Sequence, residues 1–511
     1  MRTFHRPSLS LVGHVLATLL AAISLSLAFV PKQSLVEAGT FISPVHSLQD
    51  KTLLLIDLLK IAVPIFSGAC LAWVFCPRLI RLKIQDRLRS APLDSRALLV
   101  LMATAFVIRL AWVIAFPTRP YADSEWYFRN ASELAAGEGY VYDLASHKPL
   151  AAWPIGYPLA LSLLFRITGP SEGAAKLANV VLSVLCIALT YLLARRIFDS
   201  RVAVVAALIL TVLPGMIVYS SLISTDLFFM TMVTACFAAT LCIPETVSPI
   251  KSSLVVGMIN GALSLIRATG LTLIPVWIMI QWLRFRGRFP IWRCLLAAGI
   301  GTLVVVFPWT VRNYIHFGKI ILVSTNGGPN FWIGNNPLAY GGFMWPKDET
   351  NPLFHLIGNE LEIDRQGYAL GFEFIRHDPG KALKLLPAKM FYLYNSDDFG
   401  LHWNRLSALK PAQFGSGMVA FAFTNMIYVI VSLFAMIGVA SLLLRRRGSS
   451  LQYSGMLLVA YWTIVHLPYF GQDRFVLPLL PVLVMYAAVG IGAVVGLKSS
   501  WLSSEMDASS V

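Results

Sequence analysis

Charge is scarce in this 511-residue chain: 13% of its residues are Asp, Glu, Lys or Arg, while 57% are hydrophobic. Average soluble domains carry about 25% charged residues, so a string of soluble domains is excluded. Cysteine is sparse as well. Cys70, Cys76, Cys186, Cys236, Cys242 and Cys294 fall in or beside apolar runs with no paired spacing. They read as small buried hydrophobes, which excludes a disulfide framework or a zinc site. His316, His355, His377 and His402 lack metal-ligand spacing. No Walker sequence and no strand–glycine–helix pattern is present, and Gly327-Gly328 reads as a turn because no Lys-Ser/Thr follows it. The alternation of a membrane β-barrel, low-complexity tracts and internal repeats are also missing.

Hydrophobic runs of about 20 residues recur from end to end, each long enough to cross a bilayer core. The net charge of +15 is carried in short tracts between them. These are Arg78 to Arg89, Arg195 to Arg201, Arg284 to Arg293 and Arg445 to Arg447. Such tracts mark cytoplasmic ends of spans; no folded basic domain is present to hold nucleic acid. The bilayer is the partner this composition demands.

The pattern predicts an all-α polytopic membrane protein with about 12 transmembrane helices and both termini cytoplasmic. Residues 1–96 hold two N-terminal spans, 15–30 and 52–75, and a basic cytoplasmic loop. In the second of these, Asp57 and Lys60 neutralise each other on one helical face. Residues 97–316 form a membrane core whose first outer loop, 117–158, carries an unusual density of polar groups. Its expected spans are 97–116, 174–198, 202–220, 221–243, a hairpin of 253–266 and 269–282, and 294–310; the apolar segment 151–165 is read as juxtamembrane or re-entrant. Residues 317–416 are a large outer loop, and 417–511 hold the spans 421–444, 451–470 and 475–497 with a short cytoplasmic tail.

With this orientation the ionisable outliers gather on one face. Asp123, Glu125, Asp226, Arg267, Arg312 and Asp473-Arg474 lie at outer ends of spans, and Arg109 lies about two helical turns from the same face. Arginines at a membrane boundary seek anionic partners, and their fork suits phosphate. A site for a lipid-borne phosphate facing carboxylates fits this set. Each residue also has a plainer role: Asp123 and Asp226 as helix N-caps, Glu125 on a helix dipole, and the arginines reaching headgroups. Asp123 begins a run ending at Gly137, which predicts a short amphipathic helix with an Asp N-cap and a Gly C-cap.

At these residues the chain resembles the C-type polytopic glycosyltransferases, in particular the protein-mannosyltransferase-like and lipid A sugar transferase-like group. Asp123 with the GEGY turn stands where that family has its first-outer-loop Asp. Trp153-Pro154-Ile155-Gly156-Tyr157-Pro158 resembles its Pro-Pro-Gly-Tyr-Pro element, and Ser224-Thr225-Asp226 its Thr-Glu element with Asp in place of Glu. Arg312-Asn313-Tyr314, Ser324-Thr325-Asn326-Gly327-Gly328 and Ile333-Gly334-Asn335-Asn336-Pro337 match its most specific run, and Arg474-Phe475 with Pro478 and Pro481 its terminal element.

The resemblance spans about 97–490 and implies the C-type fold with extracytoplasmic juxtamembrane helices. It implies an inner-membrane enzyme with a polyprenyl-phosphate sugar donor, an envelope glycan, lipid or protein acceptor, and inversion on the extracytoplasmic side. Asp123 would be the catalytic base and Glu125 its helper. Arg109, Tyr157, Asp226, Arg267, Arg312, Asn313, Asn326, Asn335, Asn336 and Arg474 would bind substrate. The shortened Asp-x-Glu motif leaves room for a divalent cation without requiring one. The competing readings are a flippase or transporter of lipid-linked saccharides, and a ligase or polymerase of them.

Overall fold

The computed structural model describes residues 95–495, apart from 143–144, 146, 286–288, 411, 413–416 and 446–448. The expected spans at 15–30 and 52–75, the Asp57–Lys60 pair, Cys70 and Cys76 lie outside the described residues. Within them every regular element is a helix, and extended pairing is confined to isolated bridges, Thr118 with Ala408 and Val141 with Pro149. Among the described residues seven helices are long and apolar enough to cross a membrane, eight if a bent pair counts as one. The described residues form an all-helical, multi-pass membrane protein.

The expected spans 97–116 and 174–198 are α1 (Ser95–Ala115) and α4 (Glu172–Ile197); between them lie the expected amphipathic helix, α2 (Asp123–Ala136), and α3 (Gly156–Thr168), at the segment read as juxtamembrane or re-entrant. With 13 residues α3 is too short to cross. Local chemistry sets the helix ends. Ser171 accepts from Ala174 N to start α4, and Asp199 accepts from Arg201 N and Val202 N to start α5 (Ser200–Val212).

The expected span 202–220 is broken. Pro214 opens a second short helix, α6 (Pro214–Val218), and the two parts bend by 57°. Proline has no N–H, so the carbonyl of Leu210 loses its helical donor. Arg109 replaces it. Its Nη2 donates to Leu210 O at 2.9 Å, Nη1 to Thr211 O at 3.1 Å, and Nε to Ser183 Oγ at 2.6 Å. Arg109 was expected to face substrate; it is wholly buried, and these contacts are with the helix bundle.

The core continues through α7 (Thr225–Cys242), α8 (Pro249–Ile266), α9 (Ile274–Arg284) and α10 (Ile291–Phe317). Helices α8 and α10 touch backbone to backbone. A Cβ on Gly257 would lie 2.1 Å from Ala298 O, and one on Gly301 2.3 Å from Leu254 O. Small residues thus allow the close approach that association in lipid requires. Buried polar pairs add direction: Trp277 Nε1 donates to Asn260 Oδ1 at 3.0 Å, and Ser253 Oγ to Gln281 Oε1 at 2.7 Å.

The region 317–416 is itself helical: α11 (Gly327–Gly334), α12 (Glu360–His377), α13 (Pro379–Tyr394) and α14 (Phe399–Ser407). Helices α15 (Met418–Arg445), α16 (Ser454–His466) and α17 (Leu480–Val495) complete the bundle. Two expected spans, 269–282 and 451–470, are the shorter α9 and α16, of 11 and 13 residues, each entered through a 3-10 turn. At one end of the bundle Arg284 donates to the final carbonyls of α7 at Thr240 and Ile243. The opposite end gathers the polar loops.

Candidate active site

Helix α2 starts abruptly. Ala122 adopts φ 49° and ψ −118°, a positive-φ conformation that L-residues rarely hold and that costs on the order of 1–3 kcal/mol. The turn makes Asp123 the first helical residue rather than the cap, and no side chain caps this helix. The expected Asp N-cap is therefore corrected. The expected Gly C-cap is present: Gly137 is left-handed at φ 88°, and its N–H reaches Glu133 O and Leu134 O.

Asp123 instead faces Arg474, with Nη1 3.6 Å from Oδ2 and the carboxylate half-exposed. The guanidinium of Arg474 lies 5.0 Å from the ring centre of Phe399 and 5.4 Å from that of Phe475. These rings fix its plane. Its Nε is buried without a hydrogen-bond partner.

A second pair stands beside the first. Arg267, at the turn after α8, pairs with Asp226 in the first turn of α7 and donates from Nε to Thr225 Oγ1 at 3.0 Å. It also lies 5.3 Å from the Phe229 ring centre. Asp226 is not capping its helix. Both partners are largely buried, so removing one leaves an uncompensated charge. Asp226→Ala should destabilise the protein by about 3–5 kcal/mol, read as a lowered melting temperature in detergent.

Tyr127 joins the two pairs. One helical turn after Asp123, it is buried, and its ring meets Tyr157 edge-on at 5.4 Å. Burial pushes its hydroxyl well above the ordinary phenol range; Asp123 adds to this and Arg267 and Arg474 offset part of it. Asp226 raises it as well, so all four charges of the two pairs act on one hydroxyl. Tyr157 is itself buried between Tyr127 and Phe228. Glu125 is exposed, and two residues from Asp123 it faces away from this cluster. Among the described residues no three His, Cys, Asp or Glu side chains are arranged to hold a metal ion.

The rest of the expected residues build the frame. Arg312 donates to Leu150 O and Tyr140 O, both at 2.7 Å, and stacks 4.7 Å from the Trp309 ring centre. Asn313 donates to Ile321 O at 3.1 Å. Asn326 Oδ1 accepts from Ser324 Oγ at 2.9 Å. Asn335 donates to Phe331 O and Pro468 O, and Asn336 to Trp332 O and Ile333 O. Apart from the Ser324–Asn326 side-chain bond and the Trp309 stack, these contacts go to backbone carbonyls and fold the loops. The glycines of the same run allow α11 to lie against α12, where a Cβ on Gly328 would stand 1.9 Å from Asp364 O.

Two groups carried no sequence signal. Glu360, at the start of α12, accepts from Ala151 N at 3.0 Å and Thr325 Oγ1 at 3.2 Å. It thereby latches the first polar loop to the second, although burial raises its carboxyl above the usual range. Lys389, in α13, is 2% exposed and donates from Nζ to Asn335 Oδ1 at 3.1 Å and Leu467 O at 3.0 Å. Burial alone pushes its ammonium from 10.5 down to about 8. Below pH 8 both folded and unfolded chains hold the proton and the penalty is complete. Between about 8 and 10.5 only the unfolded chain holds it, so stability should rise with pH by at most about 3 kcal/mol. Lys389→Met should flatten that rise in melting curves.

Residues 151–311 match the family model described as dolichyl-phosphate-mannose-protein mannosyltransferase. The matched segment holds Tyr157, Asp226 and Arg267, while Asp123, Arg312 and Arg474 lie outside it. No curated protein matches. Among solved structures, the Archaeoglobus fulgidus oligosaccharyltransferase AglB with an inhibitory peptide and a dolichol-phosphate is 14% identical, over 77% of this chain and 50% of that one, with a TM-score of 0.44. The same organism's oligosaccharyltransferase in the apo form gives 16% identity, 79% and 51% coverage, and a TM-score of 0.46. ArnT from Cupriavidus metallidurans bound to undecaprenyl phosphate gives 17% identity, 78% and 76% coverage, and a TM-score of 0.38. The chain thus spans about half the length of the archaeal chains it matches.

Proposed function

We propose that this membrane protein is a glycosyltransferase that moves a sugar from a polyprenyl-phosphate donor to an acceptor hydroxyl on the extracytoplasmic face, with inversion. The observation that carries the reading is the Asp123–Arg474 pair: a half-exposed carboxylate free of any capping duty, beside a guanidinium with an unmatched buried N–H. Transfer requires a carboxylate to take the acceptor proton as the hydroxyl attacks the anomeric carbon. The bond from that carbon to the phosphate oxygen breaks, and the departing phosphate needs cationic donors. Asp123 serves the first need and Arg474 the second. The buried Arg267–Asp226 pair and the aromatic wall around Tyr127 hold the surroundings rigid. The description of the family matched at 151–311 supports a lipid-phosphate-linked donor.

A flippase of lipid-linked saccharides would also gather arginines, but it has no work to do without two leaflets. Protein dissolved in detergent separates the two: a transferase still consumes donor, whereas a flippase leaves it intact. For the face, a reporter fused after Glu138 should read extracytoplasmic; a cytoplasmic signal ends that part of the proposal.

A further inference from the structure

Arg474 is placed by the segment that precedes it, residues 467–473, and this segment is lashed down at several points. Asn335 Nδ2 donates to Pro468 O at 2.7 Å, Lys389 Nζ to Leu467 O at 3.0 Å, and Gly471 N to Gly341 O at 2.8 Å. Lys389 and Asn335 also hold each other, Nζ to Oδ1 at 3.1 Å. Close approach completes the fit: a Cβ on Gly471 would stand 2.1 Å from Lys389 O, and one on Gly334 2.3 Å from Tyr469 O. Further on, Asp473 Oδ2 accepts from Phe399 N at 2.9 Å, which seats Arg474 beside the Phe399 ring.

An ammonium buried with only neutral oxygens around it is an expensive way to fill this space, and an apolar side chain would pack there at less cost. What the ammonium adds is direction. It joins α11, α13 and the turn ahead of Asp473 at one atom. We propose that Lys389 and Asn335 form a positioning clamp that holds residues 467–474, and through them Arg474, against Asp123. The clamp touches no substrate. Its effect on transfer rests on the role given to Arg474 above, whereas its effect on the segment does not.

The test uses the full chain in detergent, with amide hydrogen exchange and a double-mutant cycle. Lys389→Met should leave the melting temperature at pH 7.5 unchanged or raised, yet speed exchange of amides 467–476 at least tenfold. It should lower kcat about tenfold, with the donor KM changed less than threefold. In an Arg474→Ala background it should add no further loss, because a residue acting through Arg474 has nothing left to position. Asn335→Leu should reproduce the exchange and rate results, with a lowered melting temperature because Lys389 stays charged and loses an acceptor, and it serves if Lys389→Met fails to insert. Unchanged exchange at 467–476 overturns the clamp. A loss that adds in full to that of Arg474→Ala overturns the route through Arg474. If the wild type transfers no sugar, the functional reading fails and the exchange result alone judges the clamp.

Discussion

Asp123→Asn should lower kcat by roughly 10²–10⁴-fold, the range for loss of a positioned general base, while membrane insertion and abundance stay at wild-type levels. The substitution keeps the size and shape of the side chain. No cap is lost, because the helix starts from Ala122 without side-chain help. The ion pair that disappears, at 3.6 Å and half-exposed, belongs to the class that contributes at most about 1 kcal/mol. Stability and rate should therefore separate, with melting temperature nearly unchanged and transfer nearly gone. A parallel fall in both would assign Asp123 to the fold.

Arg474→Ala is the second large effect. Removing a preorganised donor to developing charge costs about 10²–10³ in kcat, or roughly 3–4 kcal/mol at 1.36 kcal/mol per tenfold. Here the guanidinium is held between the Phe399 and Phe475 rings, so little reorganisation is needed when the phosphate departs. Arg474→Lys should recover only part of the rate, because an ammonium keeps the charge but not the planar fork. The measurement is steady-state kinetics for donor and acceptor. Equal rates for Ala and wild type would remove Arg474 from the chemistry.

Much of the fold was legible because a bilayer imposes length on apolar runs. That is why α1, α4, α7, α10 and α15 lie where hydrophobicity places them. The polar stretch 117–158 was legible as an interruption between spans for a related reason: a lipid-facing helix would not tolerate Asp123, Glu125 and Arg129. The break at Pro214 was harder to read. Proline alone does not tell whether a freed carbonyl will find a donor, and the donor proved to be Arg109, distant in sequence.

The candidate site was legible in its charges and less so in their duties. Asp123, Asp226, Arg267 and Arg474 are brought together, as their expected placement at one common end of the spans suggested. The highly specific Arg312–Pro337 run marked a constraint without naming it. In the fold, Arg312 and the asparagines hold loop carbonyls, and the glycines allow close packing. A motif records that substitution is costly, and packing can be as costly as chemistry. Tyr127 and Lys389 gave no signal, because their importance comes from what surrounds them in space.

The most direct measurement is to incubate purified protein in detergent with a panel of polyprenyl-phosphate sugars and an acceptor mixture, and to follow the lipid and the sugar by mass spectrometry. The account predicts that at least one donor is converted to free polyprenyl phosphate with its sugar recovered on an acceptor hydroxyl, and that Asp123→Asn stops both. Release of lipid phosphate that persists undiminished in Asp123→Asn, or a panel left wholly intact by the wild type, would contradict it.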